Sequence, residues 1–125
     1  MAGRMHSYSV SFEDGIFWRV TATGEMTRDA GWLVQSDILS LLSGQESVRL
    51  LVDLRPVTGR PDIVASILQA ETLAQYPSMF THRIAVVDAE ENRKWMTDEM
   101  LCFSNRGLPI RFFTNELEAQ QWLSA

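Results

Sequence analysis

Apolar and polar positions alternate along the first part of the chain. Residues 8–12 and 16–22 form two β-favouring runs separated by Glu13, Asp14 and Gly15. An Asp-Gly pair tolerates positive φ, so this spacing predicts an antiparallel hairpin. From Thr27 the period lengthens. Ala30, Val34, Ile38, Leu41 and Leu42 recur at helical spacing, with Thr27 as N-cap and Gly44 as stop, which predicts a helix over about residues 27–43. "VRLLVDL" (48–54) then reads as a short buried strand. A second helix is expected from Pro61 to just before Pro77, with an apolar stripe of Ile63, Val64, Ile67, Leu68 and Ala74 turned to the core. "RIAVVDA" (83–89) is a strand, and "NRKWMTDEMLCFSNRG" (92–107) a helix with Met96, Met100 and Phe103 on one face. "PIRFF" (109–113) is the last strand, and "TNELEAQQWL" (114–123) the last helix, capped by Thr114 or Asn115 with Glu118 in its first turn.

The resulting order, β-β-α-β-α-β-α-β-α, is an α/β pattern in which helices connect successive parallel strands by right-handed crossovers. Crossovers that all step in one direction place their helices on one sheet face. Strand alternation assigns Trp18, Val20, Leu50, Val52, Ile84, Val86, Ile110 and Phe112 to that covered face. The opposite face receives Phe17, Arg19, Arg49, Leu51, Arg83, Arg111 and Phe113. Helix-linked parallel strands seldom leave a face bare, and arginine stacked on aromatic rings is enriched at interfaces. The expectation is that a protein partner covers this face, most simply a second copy of the chain in a two-fold homodimer.

Composition narrows the function classes. The 125 residues, 46% hydrophobic and 22% charged, fit one globular domain spanning 1–125. The balance of 11 basic against 16 acidic side chains, a net charge of -5, argues against nucleic-acid binding. Apolar runs are too short for a signal peptide or for stable membrane insertion. A single cysteine, Cys102, forms no internal disulfide and suits a reducing, cytoplasmic setting. The two histidines, His6 and His82, do not make a metal site, no glycine-rich phosphate loop is present, and no cofactor is implied. Cys102 falls in a helical pattern as a small packing residue. Asp53 and Asp88 end predicted parallel strands, where α/β active sites gather, yet strand-end aspartates also cap loops; no catalytic constellation emerges and an enzyme is not expected. Trp18, Trp32, Trp95 and Trp122 are read mostly as packing residues.

The element order, "VDLRPVTG" after the third strand and the ending "NRGLPIRFFTNELEAQQWL" resemble the stage II sporulation protein AA-like family, a branch of the STAS (anti-sigma-factor antagonist) superfamily. The resemblance implies a STAS-like strand-helix superhelix, and a noncatalytic regulatory domain that works through protein contact at the loop after the third strand and the next helix's N-terminus. Many antagonists of the superfamily carry there a serine, in an Asp-Ser-Ser-Gly context, that a partner kinase phosphorylates. Here the loop is "DLRPVTGRPD", with Thr58 its only hydroxyl. Thr58 is expected to be exposed and not to be such a kinase's substrate. Arg55, Thr58, Gly59 and Arg60 are the candidate residues for an anion or a partner, because a helix N-terminus offers free amide donors and arginine grips oxyanions; the same residues could equally do no more than turn the chain. The alternative function is a binding module for a small apolar or lipid-like ligand, in a pocket between the second and third helices lined by Ile67, Met96 and Met100.

Overall fold

The computed structural model describes residues 7–13 and 17–125. The expected turn at Asp14 and Gly15, Ile16 of the second strand and His6 lie outside the described residues. Strand β1 (Ser7–Glu13) pairs antiparallel with β2 (Phe17–Glu25), as the hairpin pattern predicts. Helix α1 (Arg28–Leu42) follows, with Thr27 Oγ1 accepting the Ala30 amide at 3.1 Å. Strand β3 (Arg49–Asp53) then runs parallel to β2. A two-residue strand, β4 (Val57–Thr58), lies beside the end of β2 and is an addition to the predicted order. It is too short to leave a periodic signal. Helix α2 (Ile63–Leu73) leads through a 3-10 turn at Pro77–Thr81 to β5 (Arg83–Val87), α3 (Arg93–Ser104), β6 (Ile110–Phe113) and α4 (Glu116–Ser124). The main sheet has the order β1-β2-β3-β5-β6, and every pairing after the first is parallel. The predicted α/β class and strand-helix order hold.

From β2 to β6, both faces of the sheet carry a packed apolar cluster. On one, Val20, Leu50, Val52, Ile84, Val86 and Ile110 pack with buried residues of α1 and α3 and with Ala70 and Leu73 of α2, as alternation assigns them. On the other, Phe17, Leu51, Ala85 and Val87 pack against Ala119 and Leu123 of α4, with Phe113 and Trp122 alongside. The side assignment holds, but the cover is a helix of the same chain. Phe17 and Leu51 are interior, which corrects the expectation that a second copy touches them. The physical reason is topological. Crossovers fix α1, α2 and α3 to one face, whereas α4 follows the last strand, has no strand to reach, and is free to turn over the sheet edge.

Three arginines of that face, Arg19, Arg83 and Arg111, serve this packing. Arg19 donates to Glu116, in the first turn of α4, at 2.6 Å. Arg83 donates to the Trp122 and Ala125 carbonyls at the other end, at 2.8 and 2.9 Å, and its guanidinium lies over the Trp122 ring. Arg111 stacks over Phe113 and Trp122 while remaining exposed, and Arg49 is exposed at the start of β3. Cations at a helix C-terminus complement its dipole and satisfy its last carbonyls.

Helix α2 departs from its predicted orientation. Its buried residues are Ala65, Ser66, Gln69, Ala70 and Leu73, whereas Ile63, Val64, Ile67 and Leu68 face outward. Small side chains let the helix seat closely on its neighbours, so the bulky ones are displaced to solvent.

Deleting the centre of the α4 contact tests this architecture. Leu123→Ala should cost about 2–5 kcal/mol, the range for truncating a buried leucine. Urea denaturation reads it, and a loss below about 1 kcal/mol would mean that α4 is not part of the core.

Candidate functional site

The loop between β3 and α2 leaves the carboxyl end of the sheet and is tied down on both sides. After Asp53 the chain turns into β4, and the Met26 amide donates to the Thr58 carbonyl at 2.8 Å. Gly59 follows with φ +75°, a left-handed conformation that a side chain would strain, and it sends the chain back over the sheet end. Arg60 then folds inward. Its Nε and Nη2 grip both oxygens of Asp88, which ends β5 and is fully buried, at 2.9 and 2.7 Å. The remaining donors reach the carbonyls of Leu54, Val57 and Gly59. A guanidinium has five N–H donors, so none is left over. The same guanidinium lies over the Trp95 ring of α3, whose Nε1 donates to the Pro61 carbonyl at 3.0 Å.

On the other side of the loop, Arg55 donates to both oxygens of Asp53 at 2.9 Å and to Glu116 of α4 at 2.6 Å. Arg19 shares Glu116 and stands 3.8 Å from Asp53. The N-terminus of α2 is filled as well. Asp62 accepts the Ala65 amide at 2.9 Å and pairs with Arg28 in solvent. Thr58 is exposed, but its hydroxyl donates to the Gly24 carbonyl at 3.4 Å and does not cap α2. The loop residues are therefore brought together, yet not as an oxyanion grip. Arg60 is saturated, Arg55 faces two carboxylates, and the helix amides already hold an acid.

The strand-end aspartates do not meet as an acid-base pair. Each is engaged by its own arginine, and Asp88 also accepts from the Ala89 amide and from Asn92. His82 is buried with Nδ1 accepting the Val48 amide at 2.9 Å, so its proton sits on Nε2, and burial lowers its pKa. Cys102 packs in the core, where burial foremost raises its thiol pKa. Among the described residues, no cluster of three or more His, Cys, Asp or Glu could hold a metal ion, and no helix is long and apolar enough to cross a membrane.

A cavity of about 130 Å³ lies between the sheet and helices α1, α2 and α3. None of the expected pocket residues lines it. Ile67 faces outward from α2, Met96 is buried and Met100 half-buried elsewhere on α3, which corrects the predicted pocket. The lining is Val34, Leu73, Phe103, Val86 and other apolar side chains, interrupted by Gln69 and Glu99. Sequence reasoning missed both polar residues. The available signal was their phase: Glu99 shares a helical face with Met96 and Phe103, and Gln69 with Ala65 and Leu73.

The family model described as SpoIIAA-like matches residues 17–124. No curated protein matches the chain at a significant level. Among solved structures, an anti-sigma factor antagonist from Mycobacterium paratuberculosis is similar with a TM-score of 0.64 at 17% identity, covering 98% of this chain and 97% of that one. A protein with a SpoIIAA-like fold from Shewanella loihica is similar with a TM-score of 0.61 at 18% identity, covering 98% of both chains.

Titration acts on the loop cluster and the cavity in opposite directions. Hydrogen bonding from Arg19 holds Glu116 below the usual carboxylate range despite burial, with Arg55 adding to it. Burial opposes the charge on Asp53, but Arg55 and then Arg19 outweigh it and keep its carboxyl low. Their stabilisation is present above the ordinary carboxylate pKa and is lost as pH falls through the lower, folded values. Glu99 is the reverse case. Burial, then the charge of Asp98, pushes its pKa from 4.5 up to about 8. The folded protein keeps a proton that the unfolded chain releases, so stability declines as pH rises from about 4.5 toward 8. Glu99→Gln should therefore change stability little near pH 5 and raise it by on the order of 3 kcal/mol near pH 8. Denaturant titrations at the two pH values measure this, and equal effects at both would show that the carboxyl is not held neutral.

Proposed function

Because this chain belongs to the SpoIIAA-like family, we propose that it is a noncatalytic, STAS-like regulatory domain that acts by docking onto a partner protein. The observation that carries this reading is the outward row on α2. Ile63, Val64, Ile67 and Leu68 are 49%, 55%, 37% and 42% exposed on successive turns of one helix. Contiguous exposed apolar patches mark interaction surfaces, whereas isolated apolar residues carry no such meaning. The loop that leads into α2 exposes Arg55, Thr58 and Gly59, which would add polar contacts to an apolar centre, the usual anatomy of a transient interface.

The likeness to an anti-sigma factor antagonist supports a regulatory role of this kind. So does the inert state of the strand-end acids, each of which is locked to an arginine. A phosphorylated Thr58 has no place in the reading. Its backbone is paired into the sheet, its hydroxyl is directed to Gly24, and Arg55 and Arg60 on either side are already engaged by carboxylates.

The test is capture from a native extract by immobilised wild-type protein and by a Val64→Glu, Leu68→Glu variant. Both positions are exposed, so the variant should keep its melting profile within about 0.5 kcal/mol per site. The expected result is a stoichiometric protein partner, recovered at least about tenfold less well by the variant, with no phosphate on Thr58 by intact mass. Equal recovery by the two proteins, no stoichiometric partner, or capture that requires phosphothreonine would overturn the proposal.

A further inference from the structure

The cavity beneath α1, α2 and α3 lies behind the docking row and plays no part in it. Two features mark it as more than imperfect packing. Glu99, which lines the cavity and is only 3% exposed, carries a carboxyl whose Oε2 is buried with no hydrogen-bond partner. An orphaned polar atom is costly in a core, and a leucine or methionine on α3 would remove the cost by filling the space. The second feature is Gly31, in the interior of α1. A Cβ there would stand 2.9 Å from Gln69 Nε2, so the glycine makes room for the Gln69 amide at the cavity wall. Glycine in a helix interior is unfavourable relative to alanine, and here that sacrifice preserves a polar group in an apolar chamber.

We propose that the cavity binds a small neutral molecule with an apolar body about the size of one aromatic ring and a single hydrogen-bond acceptor, such as a ketone or aldehyde carbonyl, which bonds to Glu99 beside Gln69. The size follows from the volume: a cavity of roughly 150 Å³ with apolar walls takes up benzene. The acceptor follows from the acid. Its burial keeps it protonated at neutral pH, so it offers one O–H, and Gln69 offers amide N–H groups. Carboxylate ligands are rejected, because among the described residues the one cation lining the chamber, Arg60, already has all its donors engaged.

Amide-detected NMR titration at pH 6.5 with acetophenone, ethylbenzene and benzoate tests the site. Acetophenone should bind saturably, shift amides around Glu99, Gln69 and Val34, and bind about tenfold more tightly than ethylbenzene, with benzoate not binding. Glu99→Gln, which keeps a donor, should retain the preference for the ketone; Glu99→Leu should still take up ethylbenzene and lose the preference. Absence of saturable binding, equal affinity for acetophenone and ethylbenzene in the wild type, tighter binding of benzoate, or shifts confined to the α2 outer row would overturn the proposal. The wild-type comparison decides the matter even if Glu99→Leu fails to fold.

Discussion

A parallel sheet has to be dry on both faces, and right-handed crossovers that step in one direction can cover only one of them. The arrangement of the arginines and of the last helix follows from how the second face is closed. Helix α4 lies across it, seated by Ala119 and Leu123 on Phe17, Leu51, Ala85 and Val87. It is clamped at its first turn through Glu116 and at its last through carbonyls that receive Arg83. Arginines that would be out of place in a core are suited to this role, because their stems and planar heads cover aromatic rings while their donors reach the ends of the helix.

The β3–α2 loop joins the two layers that the sheet separates. Through Arg55 it contacts α4 on one side, and through Arg60 and Trp95 it contacts α3 on the other. The Arg60–Asp88 pair is shielded from solvent, and removing either partner would strand a buried charge at a cost of about 3–5 kcal/mol. This rigidity explains why a loop rich in cations does not behave as an anion trap. Arg60 is an internal fastening and Arg55, though exposed, is held by Asp53 and Glu116, so neither is free to grip an anion.

Much of the fold was legible in the sequence because it is written in local signals. The hairpin's alternation, the Thr27 and Asn115 caps and the branched strand runs all act within a few residues, and the assignment of side chains to sheet faces follows from a period of two. What failed was information that lives between elements. The row of Ile63, Val64, Ile67 and Leu68 is a proper helical stripe, yet the opposite row takes the core, where the small side chains of Ala65, Ser66 and Ala70 permit a close approach. Hydrophobicity ranks the first row higher; distance to the neighbouring elements selects the second. The candidate site was legible in place and not in chemistry. Position marked the loop, but no pattern in "DLRPVTGRPD" says that Arg60 will meet an aspartate 28 residues later, or that Glu99 will occupy a position suited to leucine.

The order of elements along the chain adds a consequence for biosynthesis. Helix α4 follows every strand it covers, so during translation the sheet can assemble while its second face still lacks a lid. Phe17, Leu51, Ala85 and Val87 are then an adhesive surface at the moment when nascent chains are most prone to stick to one another. Arg19, Arg49, Arg83 and Arg111 are distributed through that same surface, one on each of β2, β3, β5 and β6. A charge on each strand beside an unavoidable apolar surface is the pattern that guards such surfaces against self-association before they are sealed, and Arg19 and Arg83 go on to hold the last helix in place.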